Sequence, residues 1–474
     1  MGLTNLTSAC CWGLYRLLGA NLTSFDGSAA YNASLASYFS QQESQLYPSC
    51  IVAPTTVEQV STAVRYLTTN STCDFAVRSG GHQVFAGAAN IANGVTIDLR
   101  GLDQIEVSDD YSTATVGVGA TWGDVYAALD PLNLTAAGGR VSGVGVGGLT
   151  IGGGISYHSP RYGWTCDTVV DFEVVLANGT IVHANERENP ELQTALRGGS
   201  NNFGVVTRIQ LATIEQDQIW AGLAYYSFDT IDAQLQAAAD FSQPDGYDEY
   251  ASLVLSFGFL STREAALVNS LVYTKPEPNP PAFQAFTAIP SVSSTLRLTN
   301  MSAMSIEQGS FQPNGDRQLW LVTAFESSVS MLNATYRHWN RTLADVSDVA
   351  GIGWSLSLEP LPPAIYSRHS DTNSLGLSDT SGSLMIVLLS ASWTHEADDA
   401  TVTEAGRSLI SGVEDDAHAQ NAYHPFKYLN YAAPWQSPIA SYGDASVERL
   451  RRVSQAVDPE RVFQQQVPGG FKLP

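Results

Sequence analysis

A histidine placed directly after two glycines, Gly80-Gly81-His82, closes the run Phe75-Ala-Val-Arg-Ser-Gly-Gly-His82. Paired glycines let a backbone come closer to a planar ligand than residues bearing side chains can. The imidazole that follows can act as a nucleophile through a ring nitrogen. Together these are the means to tether a flavin covalently, although Gly-Gly-His alone also reads as a turn with a polar residue after it. A second cluster, Gly143-Val-Gly-Val-Gly-Gly148, then Leu149-Thr-Ile, then Gly152-Gly-Gly154, lies roughly sixty residues further on. Successive N–H groups on such a turn form a concavity suited to pyrophosphate oxygens. Gly143, Gly145 and Gly148 also match the G-x-G-x-x-G dinucleotide spacing, with Asp167 near the offset of its ribose-binding acid. That motif must open a helix, and Gly152, Gly153 and Gly154 would each weaken its first turns by about 1 kcal/mol. No clear βαβ unit surrounds it, so the dinucleotide reading is rejected.

The elements around these clusters are legible in outline. Alternating short strands and helices are expected from about residue 46 to 212. Residues 55–67 form an amphipathic pattern opened by Thr55, with Glu58 three residues later, and predict a capped helix. Val95-Thr-Ile-Asp-Leu, Ala114-Thr-Val-Gly-Val and Phe172-Glu-Val-Val-Leu read as strands, and Ala177-Asn-Gly-Thr as a hairpin turn. From about residue 213 long alternating runs take over, such as Ala251-Ser-Leu-Val-Leu-Ser-Phe-Gly-Phe and Leu319-Trp-Leu-Val-Thr-Ala-Phe. They predict a broad antiparallel sheet with helices near 233–242 and 329–346.

A chain of 474 residues exceeds one typical core and implies two domains. It is 44% hydrophobic, 15% charged and carries a net charge of −23, which repels nucleic acid and anionic membrane surfaces. No apolar run approaches the ~20 residues of a membrane span. No H-E-x-x-H, paired Cys-x-x-Cys or Walker motif marks a metal or ATP site. Sequons at Asn5, Asn21, Asn32, Asn70, Asn133, Asn178, Asn300, Asn333 and Asn340 lean toward a glycosylated, secreted protein. Met1-Gly-Leu-Thr-Asn-Leu has no leader character, so the chain reads as a mature form. Cys10, Cys11, Cys50 and Cys73 allow two disulfides, with Cys10 and Cys11 each expected to take one of Cys50 and Cys73.

Several segments together resemble the berberine-bridge-enzyme-like FAD-linked oxidases, of the vanillyl-alcohol-oxidase or PCMH-type FAD-binding superfamily, in their fungal branch. They are Pro48-Ser-Cys-Ile-Val-Ala-Pro54, the stretches 78–98 and 145–179, and Leu196-Arg-Gly-Gly-Ser-Asn-Asn-Phe-Gly204. Phe426-Lys-Tyr-Leu-Asn-Tyr431 and Val457-Asp-Pro-Glu-Arg-Val-Phe463 complete the set. The resemblance implies an α+β, two-domain fold: an extension at 1–45, an FAD-binding PCMH-type domain at 46–212, a substrate domain on a large antiparallel sheet at 213–425, and a segment at 426–474 returning to the FAD domain.

The same resemblance implies FAD bound covalently through His82. Arg78, Ser79, Gly80 and Gly81 would line its ring or phosphates, and Gly145, Gly147, Gly148, Gly153 and Gly154 would give further backbone approach. Asn202, Gly204, Val206 and Asn430 would also reach the cofactor. Val144 takes the position that gates oxygen, which suggests an oxidase making hydrogen peroxide. Relatives with a second, cysteinyl link carry their cysteine at the position of Val141, so a single link is expected and Cys166 is expected to be a buried, inert thiol.

Tyr431 takes the position of the catalytic base, with Tyr428 and Asn430 facing the opposite way if the segment is a straight strand. His158, after the triple glycine, is a second catalytic candidate. Leu149 stands where several relatives carry a histidine. The expected partners are a small organic substrate and O2, for a secreted monomer. Two other classes stay open: an oligosaccharide oxidase with Trp354, Trp393 and Trp435 as a stacking platform, and a non-redox protein in which flavin is only a scaffold.

Overall fold

The computed structural model describes residues 3–69, 73–261, 263–311 and 314–474, and the sequon at Asn70 lies outside them. A first sheet has the spatial order Thr23–Ser24, Cys50–Val52, Val95–Asp98, Phe75–Arg78. Its last three strands are parallel. Parallel strands need a crossover, and the helix Val57–Thr69 supplies it between Cys50–Val52 and Phe75–Arg78, which flank Val95–Asp98. That helix buries Val60, Ala63, Val64 and Leu67, the spacing of one helical face. It begins later than its sequence suggests because Thr56, not Thr55, accepts the N–H of Gln59.

A second sheet, antiparallel throughout, runs Ile105–Val107, Thr113–Gly117, Val205–Ala212, Val169–Val175, Ile181–Ala184. The glycine-rich segment does open a helix, Val146–Ile151, which its glycines argued against. Gly152 ends it after six residues. Before it, where a dinucleotide fold needs a strand, the described residues show only an isolated bridge between Thr121 and Gly145.

Among the described residues the third sheet has nine strands, all antiparallel, with the long ones ordered Ile219–Tyr226, Arg263–Tyr273, Ala251–Leu260, Gly353–Leu361, Leu384–Trp393, Arg317–Glu326. Leu255, Phe257, Leu356, Leu358, Val387 and Leu389 bury one face in a core shared with the helices Ile231–Phe241, Val329–Val346 and Asp399–Ala419. Side chains alternate along a strand. Val254, Ser256, Ser357, Glu359 and Leu388 therefore face the other way, into a cavity shared with the first half of the chain.

Two disulfides, Cys10–Cys73 and Cys11–Cys50, fasten the helix Leu3–Leu18 to the first sheet. The last residues return to the same half: Phe75 N donates to Gln466 O at 2.8 Å, and Asn202 Nδ2 to Phe471 O at 3.0 Å. Among the described residues no helix is long and apolar enough to cross a membrane.

Candidate active site

The two glycine clusters meet backbone to backbone. A Cβ on Gly80 would fall 2.6 Å from Gly145 Cα, and one on Gly145 would fall 2.5 Å from Gly80 N. Side chains at either position would force these two backbone segments apart. Gly81 has φ +72°, a left-handed conformation that favours glycine. Ser79 Oγ donates to Val118 O at 2.6 Å, and Gly147 sits against Ser79. Gly148 has no atom within 4 Å of its would-be Cβ, so its open side is left to the cavity.

His82 stands on the wall of this cavity, which measures about 300 Å³, the scale of a small-molecule site. Its ring stacks on Phe39 with centroids 4.0 Å apart and lies 6.1 Å from the Trp320 ring. Its Nε2 is enclosed without a hydrogen-bond partner among the described residues. Burial pulls its pKa down to about 4, so the imidazole is neutral at physiological pH and keeps a lone pair for bond formation.

Across the cavity three side chains from distant parts of the chain converge. Arg140 Nη2 donates to Glu359 Oε2 at 2.8 Å and to the Tyr431 hydroxyl. Tyr431 Oη in turn donates to Glu359 Oε1 at 3.1 Å. Gly138 and Gly139 let the loop before Arg140 lie flat on Trp122, whose ring atoms would be 2.0 Å and 2.6 Å from added Cβ atoms. Tyr431 comes from a single turn of 3-10 helix, Leu429–Tyr431. The turn, unlike a straight strand, puts Tyr428, Asn430 and Tyr431 all on the cavity wall. Burial, ahead of the opposing pull of Arg140 and the push of Glu359, holds the Tyr431 phenol well above its ordinary pKa. The hydroxyl is therefore protonated, and Glu359 is the acceptor behind it. Sequence reasoning missed both Arg140 and Glu359; Gly138-Gly139 beside Trp122 was the only local signal.

Ser79, Gly80, Gly81, His82, Val144, Gly145, Gly147, Gly148, Gly204, Val206, Asn430 and Tyr431 line one cavity, with Phe463, Val467 and Phe471 at its C-terminal wall. Asn430 Nδ2 donates to Leu149 O at 3.0 Å and to Tyr428 Oη at 2.9 Å.

Other candidates are placed elsewhere. Arg78 is fully buried over the Tyr38 ring, donates to Ser34 O at 2.7 Å and Ser37 O at 2.9 Å, and lies 3.8 Å from Asp98; it fastens the N-terminal segment instead of lining the cavity. Gly153 and Gly154 adopt φ +111° and +86° and pack on Leu375, Tyr428 and Thr165 behind the wall. Asn202 spends its amide on Gly199 O, Phe471 O and Gln464. His158 is buried outside the cavity with Nε2 2.8 Å from Gln216 Oε1, so it does not face a substrate there. Cys166 is buried beside Asp167, away from the cavity, while Val141 is on its wall. Trp354 and Trp393 are buried on the helical side of the large sheet, and Trp435 lies under Arg407 elsewhere; they form no platform in this cavity.

Residues 48–185 match the FAD binding domain family. The chain is 36% identical over 490 residues to the FAD-dependent monooxygenase CTB5 of Cercospora beticola, covering 99% of this chain and 92% of that protein. It is 40% identical over 466 residues to Oligopeptidase PhomG' of Diaporthe leptostromiformis, covering 96% of this chain and spanning only 37% of that protein's length. Among solved structures, 6-hydroxy-D-nicotine oxidase from Arthrobacter nicotinovorans superposes with a TM-score of 0.78 at 22% identity over 95% of this chain and 97% of that one. Glucooligosaccharide oxidase from Acremonium strictum, described with a 6-S-cysteinyl, 8α-N1-histidyl FAD, does so with 0.78 at 21% identity over 97% and 98%. The chain belongs to the family of FAD-dependent oxidoreductases that carry this FAD binding domain, and it shares its fold with berberine bridge enzyme. The cavity fits that cofactor: glycine backbones open onto it, and a neutral histidine nitrogen is enclosed at its wall.

Proposed function

We propose that the protein is a secreted oxidase that passes hydride from a small organic substrate to FAD, held covalently through His82 alone, and on to O2, giving hydrogen peroxide. Bound FAD supplies the hydride acceptance and the oxygen chemistry. Ser79, Gly80, Gly145, Gly147, Gly148, Gly204, Val206 and Asn430 would hold it, and Val144 would shape the access of oxygen. The chain's own chemistry is the movement of one proton. The substrate's acidic hydrogen goes to Tyr431 Oη as the Tyr431 proton passes to the Glu359 carboxylate, and Arg140 steadies both.

The observation that carries this reading is a single cavity with His82 on one wall and the Arg140–Tyr431–Glu359 cluster on another. The domain division at about 46–212, 213–425 and 426–474 is our reading of the same arrangement, as is a monomeric state. Two disulfides and the sequons support an oxidising, secretory setting. The test is spectroscopic. Acid-precipitated protein should stay yellow, His82→Ala should release its pigment, and substrate-reduced flavin should recover its colour in air with stoichiometric peroxide. Flavin that stays reduced in air would overturn the oxidase reading.

A further inference from the structure

The FAD binding domain match begins at residue 48, after the extension expected at 1–45. Part of that extension is nevertheless packed against His82. Phe39 N donates to Gly81 O at 3.0 Å and Ser40 Oγ to Gln83 O at 2.9 Å, so the carbonyls on both sides of His82 are held. Between these two bonds the Phe39 ring lies on the imidazole, with 4.0 Å between centroids and 17° between planes. The residue before them, Tyr38, stacks on Arg78, and its hydroxyl donates to Ala89 O at 3.0 Å. Phe39 and Ser40 are buried, and their segment is fixed from the other side as well. Gly315 N donates to Phe39 O at 2.9 Å. Gln42 Nε2 donates to Gln318 O at 2.8 Å, and Gln42 Oε1 accepts the Gln318 N–H at 3.1 Å. Gln318 lies on the strand Arg317–Glu326 that carries Trp320, the second ring beside His82.

A histidine that follows two glycines has little of its own to orient it. The glycines leave the backbone free, and the second side-chain torsion of histidine is broad and two-fold. Nε2 has no hydrogen-bond partner among the described residues. The stack on Phe39 therefore sets the plane of the ring, and an aromatic pair favours one orientation by a factor of about 2 to 12. Orientation matters because a ring nitrogen attacks along a lone pair that lies in the ring plane. Attachment forms one bond from that nitrogen to the flavin's ring methyl and breaks one N–H and one C–H bond. The electron pair and both protons pass to the flavin and on to O2, as hydrogen peroxide. Neither Phe39 nor Ser40 is on the cavity wall, so they act on this step only through His82.

We propose that Phe39 and Ser40 are positioning residues for the attachment of FAD to His82: Phe39 sets the ring plane, Ser40 pins the loop, and neither is needed to hold the cofactor itself. This rests on reading His82 as the tether. The test needs no substrate. Protein is purified as expressed, and acid precipitation divides its flavin into a pelleted and a released fraction. Wild type should pellet nearly all of it. Phe39→Leu should keep the wild-type total of flavin and lower the pelleted fraction at least about threefold. Val84→Ala takes volume from the cluster of Phe39, Val84, Trp320 and Leu388 but leaves the ring pair in place. It should lower Tm and still pellet its flavin as wild type does. If Phe39→Leu does not fold, Ser40→Ala carries the test by losing the bond to Gln83, with the same split between total and pelleted flavin expected. An unchanged pelleted fraction, a total that falls in step with it, or an equal fall in Val84→Ala each overturns the proposal and leaves the tether standing. Wild-type protein that gives up its flavin to acid, or His82→Ala that keeps it, overturns the tether reading and this one with it.

Discussion

Tyr431 can lose its oxygen with little change in packing, since its ring is held edge-on by Tyr428 at 4.8 Å and Trp320 at 6.0 Å. Tyr431→Phe should therefore keep the wild-type flavin content while lowering the rate of flavin reduction by ~10²-fold or more. Glu359→Gln should show a similar loss, because it removes the acceptor behind the phenol. Stopped-flow reduction under anaerobic conditions separates this step from reoxidation. Tyr431 and His82 were legible in the sequence because each sits inside a compact local pattern. Arg140 and Glu359 were not. They are 219 residues apart, one in a loop and the other on a strand whose alternation reads only as half-buried sheet. Register across the large sheet, which pairs Ser357 with Ser256 and Leu388, decides that Glu359 faces the cavity, and no single segment encodes that. His158 is the opposite case, a chemically able residue that the fold buries outside the cavity with its Nε2 on Gln216.

At the scale of elements, the glycines divide into those that touch protein and those that face the cavity. Gly145→Ala would push a methyl to within 2.5 Å of the Gly80 backbone. Overpacking of this kind should destabilise the fold by about 1–3 kcal/mol, seen as a lower Tm. Gly148→Ala meets nothing within 4 Å. It should leave Tm of the flavin-free protein unchanged and lower the flavin-to-protein ratio instead. Equal behaviour of the two variants would refute the division. The clusters were readable as special backbone from composition alone, but the partner of each glycine was not. Gly152 would collide with Asn430 Oδ1 at 2.1 Å, and Gly154 with Thr165 Cβ at 2.4 Å. The first of these contacts is with a segment far away in sequence, and the second with a turn that follows shortly after. The turn Leu429–Tyr431 could be weighed only against the case of a straight strand, because three residues are too few to reveal a period.

For the whole molecule, one buried carboxyl couples stability to pH. Glu43 Oε1 accepts the Ala89 N–H at 2.7 Å and Oε2 the Gly87 N–H at 3.3 Å, bracing the loop that follows His82. Burial, only partly offset by those N–H groups, raises its pKa from 4.5 to about 7. The folded chain thus keeps a proton that the unfolded chain releases at lower pH. Between about 4.5 and about 7 folding retains the extra proton, so this group's contribution to stability falls as pH rises and levels off above that window. Glu43→Gln should remove that slope, and the difference in Tm between wild type and variant across the window measures it directly. A parallel pair of curves would show that Glu43 does not titrate there.

The C-terminal wall has a consequence for biosynthesis. Phe463, Val467 and Phe471 leave the ribosome long after His82, yet they close one side of the pocket that His82 opens. A nascent chain with its first glycine cluster already emerged still lacks that side, so pigment should be captured only once these residues have been made, and a frameshift that removes them would yield colourless protein despite an untouched histidine.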